Sequence, residues 1–178
     1  MSSALGESQL RGGTWLSRFL DVTGDSTGAT EQAINAAAAP VYFKYTVPVG
    51  YRMYVYSLLV VLEDAGNFVS GAYGGGVILT NGIELGRMTT DNTFVSATQQ
   101  IKILKNTDWM RYTHEFQIQS FKTGGAGSSI LSANYNFEDD GIPVQIYSGE
   151  SFVVCIHDDL SGLISQKMRM GAVVLPHN

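Results

Sequence analysis

Tyr51–Leu62 reads YRMYVYSLLVVL, and its apolar residues occupy both alternating sides of an extended chain. Met53, Val55, Leu59 and Val61 fall on one side, and Tyr54, Tyr56, Leu58, Val60 and Leu62 on the other. A strand with this pattern is covered on both faces. At about 3.3 Å per residue it reaches roughly 40 Å. Just before it, Val47-Pro48-Val49-Gly50 places Pro second and Gly fourth, as a type I turn prefers. Val41–Val47 (VYFKYTV) is a further aromatic and β-branched run.

Strand signals continue to the C-terminus. Asn81-Gly82 between Val77–Thr80 and Ile83–Gly86 predicts a type I′ hairpin pairing Thr80 with Ile83 and Ile78 with Leu85. Tyr112–Phe121 sets Tyr112, His114, Phe116 and Ile118 against Thr113, Glu115, Gln117 and Gln119. Ile130–Phe137 turns Leu131, Ala133, Tyr135 and Phe137 inward and Ser132, Asn134 and Asn136 outward. Pro143–Tyr147 and Ser151–His157 flank a turn at Ser148-Gly149-Glu150. Ser165–Leu175 alternates Met168, Met170, Ala172 and Val174 against Lys167, Arg169 and Gly171. About eight to ten strands at hairpin spacing, with no long helical period, predict an all-β antiparallel sandwich of jelly-roll type. No solenoid or propeller repeat is present.

The composition changes at Pro40. Residues 1–40 are rich in Ser, Gly, Thr and Ala, with one apolar island at Trp15–Leu20 and turn chemistry over Asp21–Thr30. Gln32–Ala39 is compatible with a short helix ended by Pro40. The expected organisation is an extended N-terminal arm, 1–40, and a sandwich domain, 41–178. The arm cannot bury Trp15 and Phe19 alone, so both are expected at an interface with a neighbouring chain, along with Tyr54 and Tyr56 of the two-sided strand; the alternative is that the arm packs back on its own sandwich as an added edge strand.

Charge narrows the partners. Of 178 residues, 44% are hydrophobic and only 15% charged, with a net charge of −5. An acidic chain lacks the basic footprint of a nucleic-acid binder. No apolar run is long enough to span a bilayer, and the first residues carry no secretory signal pattern. The single Cys155 can form no intrachain disulfide, which fits synthesis in a reducing compartment. Low charge in an apolar chain points to a large core or to surfaces that meet other protein.

No catalytic or cofactor pattern assembles. His114, His157 and His177 lack the paired spacing of a metal-binding jelly roll. The carboxylates of Glu63-Asp64, Glu138-Asp139-Asp140 and Asp158-Asp159 read as strand-end turn residues rather than calcium ligands. Gly74-Gly75-Gly76 and Gly124-Gly125-Ala126-Gly127 open no helix and read as loop tips. Cys155, alternating within FVVCI, reads as a buried small hydrophobe. Catalytic residues, cofactor and metal are all expected to be none. Tyr42, Tyr45, Tyr54, Tyr56, Tyr73 and Trp109 are available platforms for a glycan, although core packing is the simpler reading of each.

Four stretches carry a resemblance. Phe19–Thr30 (FLDVTGDSTGAT), Leu62–Gly86 (LEDAGNFVSGAYGGGVILTNGIELG), Leu104–Arg111 (LKNTDWMR) and Gly141–Ser165 (GIPVQIYSGESFVVCIHDDLSGLIS) resemble, in order and spacing, small β-rich virion proteins of tailed bacteriophages. The resemblance implies a non-enzymatic virion component, assembled in the host cytoplasm, whose partners are other capsid or tail subunits. Capsid decoration or cement proteins of this kind are commonly homo-oligomers, often trimers. The alternative is a tail, neck or fibre component with a glycan-binding sandwich.

Overall fold

A computed structural model describes residues 13–28, 35–36, 38–64, 83–96, 102–103, 115–123, 126–137 and 144–177. Among these residues every regular element is a strand: β1 (Thr14–Phe19), β2 (Val41–Thr46), β3 (Tyr51–Asp64), β4 (Ile83–Met88), β5 (Phe94–Ser96), β6 (Lys102–Ile103), β7 (Glu115–Thr123), β8 (Ala126–Asn136), β9 (Val144–Ile146), β10 (Ser151–Ile156) and β11 (Ser165–Pro176). Two antiparallel sheets result. The first runs β1-β11-β3-β8-β7, with β9 also on β3; the second runs β2-β10-β4-β5, with β6 also on β4. One core cluster draws Met53, Val55, Leu58, Met168 and Met170 from the first sheet and Phe43, Leu85, Phe152 and Val154 from the second. The sheets therefore pack face to face as a sandwich.

The long strand β3 is not a simple alternation. Gly171 lies opposite Ser57 and Ala172 opposite Val55, so Tyr56 is an extra residue on β3. Its carbonyl accepts the Phe137 amide at 2.7 Å. A bulge of one residue switches the sides of everything beyond it. The core side is consequently Met53 and Val55 before the bulge and Leu58, Val60 and Leu62 after it, all fully buried. Leu59 and Val61, expected on the side of Met53, lie on the outer face and are half-buried.

Other expectations fare by locality. Ala133, Tyr135 and Phe137 are buried between half-buried Ser132, Asn134 and Asn136, as their alternation predicts. Met168, Met170 and Ala172 are buried, with Val174 packed on the same core. The turn before β3 is displaced by one residue: the Tyr51 amide bonds the Pro48 carbonyl at 3.1 Å, and Gly50 has φ of 86°. Gly is thus third in a type II geometry, which requires positive φ there. Ala126 and Gly127, expected in a loop tip, pair with Thr123 and Lys122 in the β7–β8 ladder. The Tyr147–Glu150 turn passes the chain from β9 in one sheet to β10 in the other. The Asn81-Gly82 hairpin, Tyr112 and His114 lie outside the described residues.

The segment expected as an arm is partly built into the sandwich. β1 pairs antiparallel with β11 over its whole length, from Thr14 opposite Val174 to Phe19 opposite Arg169. Leu20 is fully buried in the core, and its amide bonds the Met168 carbonyl at 2.8 Å. Asp21 then bridges to Lys44 of β2, so the chain crosses from the edge of one sheet to the edge of the other. The buried Asp21 carboxylate holds this corner, accepting the amides of Gly24 (2.5 Å) and Gly28 (2.7 Å), with Thr23 Oγ1 at 2.9 Å. Further on, the Ala36 amide bonds the Asp158 carbonyl, and Asn35 bridges to Asp159. At those two positions an extended bridge stands where a short helix was expected.

Candidate interaction surface

Alternation builds the outer face of the first sheet. Along β1, Leu16 packs against the core, so Trp15, Ser17 and Phe19 point away from it. The cross-strand register sets Trp15 beside Val173 and Tyr54, Ser17 beside Gly171 and Ser57, and Phe19 beside Arg169 and Leu59. The bulge residue Tyr56 lies over Gly171. A Cβ on Gly171 would come within 3.0 Å of the Tyr56 ring and 2.5 Å of Ser57 Oγ. Glycine is thus the residue that leaves room for the ring. Tyr56 in turn meets Trp15 edge to face, with centroids 5.2 Å apart and planes at 76°.

The four interface candidates named from the sequence, Trp15, Phe19, Tyr54 and Tyr56, are therefore brought to one face. Trp15 is 65% exposed and Phe19 42%, while Tyr54 and Tyr56 are half-buried. Sequence reasoning missed the arginines among them. The Arg169 guanidinium lies 5.9 Å from the Phe19 ring centre, and its Nε donates to Ser17 Oγ at 2.7 Å. Arg52 lies 5.8 Å from the Tyr54 ring centre. Arg18, on the rim, donates to the Ser17 carbonyl at 3.1 Å. Among the described residues none of these three arginines pairs with a carboxylate.

The edge beside this face is guarded. The Leu20 amide faces β11, so by alternation the backbone groups of Trp15, Ser17 and Phe19 face outward. Two of those outward carbonyls are taken, Ser17 by Arg18 and Phe19 by the Ser26 hydroxyl at 2.7 Å. Such side-chain caps blunt an edge against strand addition. What the molecule offers here is side-chain surface.

A second cluster occupies the outer face of the second sheet. Cys155 lies across from Tyr42 on one side and Glu84 on the other. His157, two residues along from Cys155, places Nε2 3.2 Å from its Sγ and 3.1 Å from Glu84 Oε2. The Cys-x-His spacing on a strand is the sequence signal that could have paired them. Both contacts use the same ring nitrogen, so no relay of carboxylate, imidazole and thiol runs through the ring. Burial first, and the Glu84 charge second, push the Cys155 thiol up to about 12. A thiol in that state is no nucleophile at neutral pH. It packs with Met88 and Val153, as a small hydrophobe does.

The remaining candidates are dispersed. Tyr42 packs on Phe94 and Tyr45 on the main core, while Tyr73 and Trp109 lie outside the described residues. Asp159 accepts the Ser161 amide and the Asn35 side-chain amide, and Glu63 accepts the Ser165 hydroxyl. The Glu138–Asp140 run lies outside the described residues. His177 donates its amide to the Gly50 carbonyl at 2.8 Å. The chain matches no protein-family model, no curated protein and no solved structure.

Proposed function

We propose that this chain is a non-enzymatic structural subunit of a tailed-bacteriophage virion, a capsid decoration or cement protein that joins neighbouring subunits. The observation that carries the reading is the outer face of the first sheet, where two exposed aromatics stand on an edge strand beside two further aromatic rings. Burying Trp15 and Phe19 against a neighbour would contribute on the order of 3 kcal/mol or more, and aromatic and arginine anchors are the usual centre of a stable contact. Strand order adds support. Counting β1, β2, β3, β4, β5, β9, β10 and β11 as strands one to eight, the sheets run 1-8-3-6 and 2-7-4-5. This order supports a jelly-roll reading, with β6 and the β7–β8 hairpin inserted between strands five and six. On this reading β1 is the first jelly-roll strand, and the docking element is β1 with its following turn rather than a free arm of forty residues.

The fold alone would not name a function, so the test is made on the face. Trp15→Ala and Phe19→Ala chains are expected to fold normally yet to be missing from purified particles, as counted by mass spectrometry. Variant chains present at the wild-type copy number would sink the proposal.

A further inference from the structure

We infer that the occupant of the aromatic face is the acidic surface of a second copy of this chain, held head to tail and guided by charge. The inference rests on the subunit-joining reading above and names the neighbour's chemistry. The chain is acidic overall, at −5. Yet the outer face of the first sheet sets Arg52 and Arg169 among Trp15, Phe19, Tyr54 and Tyr56. Set those two cations aside and the remaining residues sum to −7. Glu63, on the same face, lies two register rows beyond Arg169 and accepts the Ser165 hydroxyl. The face is thus locally basic on an acidic body, and the body of the same molecule supplies the opposite charge.

One exposed carboxylate of that body stands on the second sheet. Asp91, in the turn between β4 and β5 of the second sheet, is exposed and accepts from the Thr89 hydroxyl and the Thr93 amide through Oδ1. These bonds, the Thr89 hydroxyl foremost, hold its carboxyl below the ordinary value, so it stays ionised. Asp91 and the arginine face belong to different sheets, so the contact joins two unlike patches. A contact between unlike patches closes into a ring or continues as an open array, which suits repeated subunits. The guarded edge of β1 disfavours the other self-association, in which two β1 strands would pair.

Sedimentation velocity of the full-length chain tests this. The wild type is expected to associate at low ionic strength, with an apparent dissociation constant that rises about tenfold or more from about 0.05 M to about 0.5 M NaCl. Arg52→Glu with Arg169→Glu should abolish association, and Asp91→Arg added to that double variant should restore part of it. Trp15→Ala should weaken association while leaving its salt dependence in place. Thermal melts confirm that each variant is folded. A wild type that stays monomeric at high concentration overturns the inference while leaving the virion reading to its own particle test. Association indifferent to salt and to the arginine changes overturns the charge-guided contact and retains the aromatic one.

Discussion

At the scale of single residues, two buried groups make opposite predictions. Cys155 is fully buried, and its thiol is raised from the ordinary 9.0 to about 12 by burial and by Glu84. A native sample should therefore resist thiol reagents at pH 8 and react only as fast as the chain unfolds, which a disulfide-exchange assay in rising urea would measure. The sign of the linkage follows from the raised value. The protonated thiol contributes its full stability below pH 9, and that contribution is lost as pH rises through about 12. Gln166 is the counter-case. It is 1% exposed, and neither its amide nitrogen nor its amide oxygen has a hydrogen-bond partner among the described residues. A buried amide without partners costs about 1–3 kcal/mol. Gln166→Met keeps the length of the side chain and removes both polar atoms. The variant should gain about 1 kcal/mol in urea unfolding. A loss instead would mean that bound water satisfies the amide in solution.

At the scale of elements, three aspartates pin the turns that connect the strands, Asp25 and Asp91 exposed and Asp159 half-buried. Asp25 accepts from the hydroxyl and the amide of Thr27, Asp91 from the Thr89 hydroxyl, and Asp159 from the Ser161 amide. These bonds hold all three carboxyls below the ordinary 3.8, Asp25 down to about 2 with Thr23 as the leading cause. A depressed carboxylate contributes stability that is present above its unfolded value and lost as pH falls through the folded one. Melting temperature should therefore hold down to about pH 4 and fall between about pH 4 and pH 2. Asp25→Asn should flatten part of that fall. Elements also mark what could be read from the chain. The alternation of Ala133, Tyr135 and Phe137 was legible because it depends only on a period of two. The parity switch at Tyr56 was not. A bulge is defined by the partner strand, and here Gly171 receives the displaced ring more than a hundred residues away. The aromatic members of the face could be named singly, but their meeting depends on β1 joining β11, a pairing between opposite ends of the chain. Arg169 looks like an ordinary solvated charge until that pairing sets it beside Phe19.

At the scale of the whole molecule, the question is whether the first segment belongs to the sandwich or waits for a neighbour. Its composition, rich in Ser, Gly and Thr, argues for waiting, since ordering such a chain costs about 1–2 kcal/mol per residue. Among the described residues of that segment, packing offsets the cost chiefly from Leu16 to Asp21. Leu20 is fully buried, Leu16 packs on the core, and the Asp21 carboxylate ties the crossing to β2. Burial of the two leucines contributes about 3–5 kcal/mol, and β1 adds its ladder with β11. The two outcomes leave different marks in hydrogen exchange on a dilute monomer. If β1 is integral, protection should alternate. The amides of Leu16, Arg18 and Leu20 face β11 and should exchange slowly, whereas those of Trp15, Ser17 and Phe19 face outward and should exchange fast. Residue-resolved exchange by NMR reads this directly. Uniform fast exchange from residue 14 to residue 20 would mean that β1 forms only in the assembly. Uniform slow exchange would mean that another strand already covers the edge in solution, against the capping by Arg18 and Ser26. The alternating pattern alone fits an edge strand held by its own sandwich, which keeps Trp15 and Phe19 presented to a neighbour without first having to be ordered.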